Sequence, residues 1–72
     1  MREYIIRARI RRDTNGSLLI RDGFQETVKR AEAAFPVQVE AKNKQVAKEM
    51  GEAIARDLGA YEGALIFTVE LA

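Results

Sequence analysis

Val37-Gln38-Val39-Glu40-Ala41-Lys42-Asn43 is the stretch whose reading decides the fold. Val37, Val39 and Ala41 alternate with Gln38, Glu40 and Lys42, and a period of two is the pattern of a half-buried strand. Asn43 has a short side-chain acceptor suited to capping a helix. The helix that follows runs to about Leu58-Gly59, with Val46, Ala47, Met50, Ile54 and Leu58 on one stripe and Gly59 at the C′ position. Ala64 to Leu71 then alternates again, with Leu65, Phe67, Val69 and Leu71 inward and Ile66, Thr68 and Glu70 outward. Together these segments make a βαβ unit.

Gly51 interrupts the helix at a cost of about 1 kcal/mol relative to alanine. It stands at i, i+4 spacing from Ala47 and Ala55, and this small-residue strip lets another backbone approach. Close packing on the sheet or the first helix is the favoured use, and a groove for a partner helix is the other.

Towards the N-terminus, Tyr4, Ile6, Ala8 and Ile10 alternate with Ile5, Arg7, Arg9 and Arg11, so Tyr4 to Arg12 reads as a strand. Asp13-Thr14-Asn15-Gly16-Ser17 is a turn. A two-residue turn at Asn15-Gly16 would set Ile10 against Arg21 and mismatch the apolar faces. A three-residue loop with Gly16 left-handed instead pairs Asp13 with Ser17, Arg12 with Leu18 and Ile10 with Ile20. Leu18 to Arg21 becomes a short second strand, and Arg9 falls opposite Arg21. Asp22 then caps a first helix, with Gln25 completing a capping box and Phe24, Val28, Ala31 and Phe35 forming the core stripe. Glu26 and Arg30 have ion-pair spacing, and Pro36 ends the helix.

The expected fold is therefore α+β, a single domain over residues 1–72. It is a two-layer sandwich with a four-stranded mixed sheet, two helices on one face, and element order β-β-α-β-α-β. The other sheet face is open.

Composition narrows the function classes. Hydrophobic residues at 47% and charged residues at 32% suit a globular chain rather than a disordered one. Net charge is +1, which gives no global field toward nucleic acid or anionic lipid. Residues 1–30 nevertheless hold eight Lys or Arg against four acids, while residues 31–72 hold four against seven. The absence of Cys and His removes disulfides, thiol catalysis, Cys/His zinc sites and histidine bases. No apolar run approaches the roughly 18–20 residues of a membrane span, and no signal-peptide core follows Met1. A cytoplasmic chain without membrane attachment is expected.

The distinctive surface is the open face, with Arg7, Arg9, Arg11 and Arg21 and with Ile5 and Leu19 among them. Either Glu40 and Glu70 interleave with the arginines on a solvated face, or the face docks an acidic partner through bidentate guanidinium contacts. The candidate binding residues are Arg7, Arg9, Arg11, Leu19 and Arg21. An acidic protein surface is the favoured partner, because arginines dotted with Leu and Ile suit a protein interface and the face lacks stacking aromatics. Nucleic acid is the alternative, bound by the same face with Lys42, Lys44 and Lys48. Oligomeric state stays open. The scattered acids, the hydroxyls without a histidine base and the lack of a phosphate loop argue against an enzyme, and no cofactor or metal is expected.

The cadence from Gln38 to Glu70, with Gln38-Val39-Glu40-Ala41, Asn43, Ala47-Lys48, Gly63 and Val69-Glu70, resembles that of small phage-encoded proteins such as type I anti-CRISPR inhibitors. The resemblance implies a compact, non-enzymatic inhibitor that docks on a larger host complex.

Overall fold

The computed structural model describes all 72 residues. The elements are β1 (Arg2–Ile10), α1 (Gln25–Ala33), β2 (Val37–Ala41), α2 (Lys44–Asp57) and β3 (Leu65–Leu71). The sheet has three strands in the order β2-β1-β3, and both pairings are antiparallel. The expected four-stranded mixed sheet is thus corrected to a three-stranded antiparallel one with element order β-α-β-α-β.

The fourth strand fails for a reason found in the pairing of β1. The turn itself forms as its residues dictate. Gly16 has φ +83°, and its N–H donates to the Asp13 carbonyl at 3.0 Å. One Asp13 carboxylate oxygen accepts from the N–H groups of Asn15 and Ser17 at 2.8 and 2.9 Å. Arg12 bridges Leu18 in the expected register, and Leu19 N–H donates to the Arg11 carbonyl at 3.0 Å. Beyond that point the pairing stops, because Ile10 already has Leu65 as its neighbour on β3, and Arg11 N–H donates to Ala64. On the opposite edge of β1 the Ile10 N–H is taken by the Glu32 carboxylate of α1 at 2.8 Å. No edge of β1 is left for Ile20, and the chain leaves as a loop.

The strand faces follow the alternation. Tyr4 lies between Val39 and Leu71, and Ile6 between Val37 and Val69, so apolar rows cross the sheet beneath the helices. β2 and β3 flank β1 and run the same way, so α2 crosses over β1. It sets Ala47, Gly51 and Ala55 against the sheet, all buried. A Cβ on Gly51 would stand 2.8 Å from Ile6 Cγ2, so the small-residue strip serves close packing on the sheet. Met50 and Leu58, expected on the core stripe, are 38% and 37% exposed.

Two buried clusters result. Ile10, Val28, Ala31, Ala55, Ala60, Ala64 and Leu65 form one, and Tyr4, Ile6, Ala41 and Ala47 form the other. Phe35 and Phe67 pack against both and meet edge to face at 5.7 Å. Ile6 and Val28 are the largest fully buried side chains, so alanine contacts hold the two layers close.

Asn43 caps α2 as expected, accepting from Val46 N–H at 2.9 Å. The other end closes as a Schellman motif: Gly59 has φ +102° and donates to Arg56, while Ala60 donates to Ala55. The start of α1 differs from expectation. Its N-cap is Phe24, without a side-chain cap, and Gln25 accepts from Gly23 N–H rather than completing a box with Asp22. No helix is long and apolar enough to cross a membrane.

Candidate functional site

β1 alternates, so the side chains between the buried ones stand on the face away from the helices. Arg7 and Arg9 are exposed there. Their neighbours across β3 are Thr68 and Ile66, and Ile5 lies opposite Glu70. Arg11 continues the row just past the strand end, and its Nη1 runs 3.8 Å from where a Cβ of Gly63 would stand. Alternate residues on a strand are about 6.6–6.8 Å apart, so the three arginines leave the backbone at even spacing along one line.

Electrostatically the line is only partly neutralised. Arg7 Nε meets Glu70 Oε1 at 3.0 Å, both side chains more than half exposed, and this is the one ion pair in the molecule. Glu40, the other acid expected to interleave, lies opposite Glu3 instead, and Glu3 accepts from Gln38 Nε2 at 2.8 Å. Arg9 and Arg11 have no acid partner. A shallow depression lined by Arg7, Arg9, Ile66 and Thr68 lies between β1 and β3.

Arg21 and Leu19 are not on the sheet. The expected juxtaposition of Arg9 with Arg21 is corrected: Ile66 holds the place beside Arg9, and Arg21 lies in the loop before α1. Tyr61 organises that loop. Its hydroxyl accepts from Arg21 N–H at 2.9 Å and donates to the Leu19 carbonyl at 3.1 Å. The Arg21 guanidinium lies 4.8 Å from its ring centroid, a cation–π distance. Phe24 meets the same ring edge to face at 5.2 Å.

The site therefore has two parts. One is the Arg7–Arg9–Arg11 row on the sheet. The other is a loop cluster of Leu19, Arg21, Phe24 and Tyr61, which lies beyond the end of β1 where Arg11 meets Gly63. Tyr61 was not among the residues singled out by pattern. Its place before a Glu62-Gly63 turn, between a helix and a strand, was the available signal, since a lone aromatic in a loop usually anchors something.

The lysines lie apart from the arginine row, although Lys48 lines the same cavity as Tyr61 of the loop cluster. Lys44 and Lys48 are on α2, in the layer on the other side of the sheet, and Lys42 follows Ala41, which pairs with Arg2 at the opposite end of β1. The arrangement suits recognition of carboxylates or phosphates by guanidinium forks with an aromatic and aliphatic flank. No protein-family model, curated protein or solved structure matches the chain.

Proposed function

We propose that the chain is a non-enzymatic protein-binding module that docks an acidic surface of a larger partner through the Arg7–Arg9–Arg11 row and the Arg21–Tyr61 cluster. The observation that carries this reading is the uncompensated row. One of its arginines has an acid partner, and the two nearest the loop cluster have none. Free guanidiniums beside exposed Ile66 and Leu19 retain their capacity for an incoming carboxylate. Tyrosine and arginine are also the residue types that dominate binding energy at protein interfaces. Blocking a host complex, which the anti-CRISPR resemblance implies, is one use of such a surface.

Nucleic acid is the competing ligand for the same guanidiniums. The sheet itself separates Lys42, Lys44 and Lys48 from the Arg7–Arg9–Arg11 row, which favours the protein reading, while Lys48 does line the cavity beside Tyr61. The test is a titration with a Glu/Asp-rich peptide and with duplex DNA and RNA across a salt series. The peptide is expected to bind, and Arg9→Glu with Arg21→Glu to weaken it by at least about tenfold while the circular dichroism spectrum is retained. Tighter binding of nucleic acid with a steep salt slope would replace this reading with the alternative.

A further inference from the structure

We infer that β3 is a self-association edge, pairing antiparallel with β3 of a second copy to make one continuous six-stranded sheet. The observations are independent of the arginine row. Arg11 N–H donates to Ala64 and Ala72 N–H to Glu3, which fixes the parity of the β1–β3 ladder. Ala64, Ile66, Thr68, Glu70 and Ala72 turn their backbone groups to β1, so Leu65, Phe67, Val69 and Leu71 turn theirs outward. None of those four N–H groups has a partner among the loop or side-chain hydrogen bonds.

The two outer strands differ as edges. β2 is five residues long, is preceded by Pro36 and followed by Lys42, and sends Gln38 and Glu40 backbone groups outward. These are features that discourage further pairing. β3 is seven residues long, Leu65-Ile66-Phe67-Thr68-Val69-Glu70-Leu71, with no proline and one charge.

The occupant follows from the self-complementarity of β3. A two-fold axis at Thr68 uses the whole strand: Leu65 faces the second copy's Leu71, Phe67 its Val69, and Thr68 its Thr68. The first two pairs present outward backbone groups to each other and exchange both N–H···O bonds. Beside the Leu65 end lies a cavity of about 390 Å³, lined by Ala55, Ala60, Leu65 and Phe67 and also by two basic and two acidic side chains. At the other end Leu71 is 52% exposed. The axis brings each Leu71 to the partner's cavity, so knob and hollow are matched twice, as an isologous contact requires.

Sedimentation equilibrium over a concentration series, with cysteine crosslinking, tests this. The chain has no cysteine, so an introduced one is unique. Facing Thr68 residues form a non-hydrogen-bonded pair with Cα atoms about 4.5 Å apart, within disulfide reach. The expected results are a species of twice 8.1 kDa, oxidation of Thr68→Cys to a covalent dimer, and little crosslinking of Gln38→Cys on the β2 edge. Leu71→Lys should weaken association by about tenfold or more at unchanged circular dichroism, since it brings a charge to the apolar pairing. A monomer at every concentration would overturn the inference. So would Gln38→Cys crosslinking as readily as Thr68→Cys, or an edge that captures an unrelated extended peptide while the chain stays monomeric. Should Leu71→Lys unfold, the paired cysteine variants still decide.

Discussion

Glu32 shows how a single side chain can set a strand's limits. β2 pairs with β1 only as far as Ile6, and the next inward-facing edge donor used, Ile10 N–H, goes to the Glu32 carboxylate at 2.8 Å. Glu32→Ala leaves that donor without an acceptor and is expected to cost about 1.5–3 kcal/mol, while Glu32→Gln keeps a carbonyl there and recovers most of it. Urea unfolding together with amide exchange at Ile10 checks both. Equal loss in the two variants would mean that the carboxylate is not holding the strand edge. Gly51 is the second such residue. Alanine there gains about 1 kcal/mol of helix propensity but forces a methyl against buried Ile6, an overpacking cost of about 1–3 kcal/mol. Net destabilisation of about 1 kcal/mol is expected in urea, and a stabilised Gly51→Ala variant would show that α2 stands off from β1.

Among the elements, the loop between β1 and α1 depends on Tyr61 more than on its own sequence. Tyr61→Phe removes the hydroxyl that joins Leu19 and Arg21 but keeps the ring under the guanidinium. A loss of about 1 kcal/mol is expected, with faster amide exchange at Arg21 and little change in the helices. Unchanged exchange at Arg21 would contradict that role. The elements also show what could be read in advance. The Asn43 cap, the Gly59 terminus, the bulged turn at Gly16 and the faces of β1, β2 and β3 were legible, because each rests on residues close in sequence. The second strand was not. Leu18 to Arg21 has the composition and register of a strand, but beyond Leu18 it lost its place, Ile20 yielding the position beside Ile10 to Leu65, 45 residues further on. Local pattern ranks how well a segment suits pairing, but not which of two segments reaches the edge.

For the whole molecule, the three-strand sheet changes what the arginine face is. With four strands Arg9 and Arg21 would have repelled each other on one surface. With three, Arg21 is drawn off to Tyr61, and the open face keeps a single row of arginines with one acid paired to it. The row was legible from the alternation of β1, whereas its partition between sheet and loop depended on the missing strand. The Arg7–Glu70 pair is exposed and contributes at most about 1 kcal/mol to stability. Glu70→Gln should therefore leave the unfolding midpoint nearly unchanged while tightening binding of an acidic peptide, a combination that calorimetry and urea titration resolve together. A large stability loss without tighter binding would show the pair to be structural.

The most direct test of the docking surface is an amide NMR titration with a Glu/Asp-rich peptide at low salt. Shifts are predicted at Arg7, Arg9, Arg11, Ile66 and Thr68 on the sheet and at Leu19, Arg21 and Tyr61 in the loop cluster, with α1 and α2 quiet. Shifts centred on the exposed faces of the helices, or none at all, would contradict it.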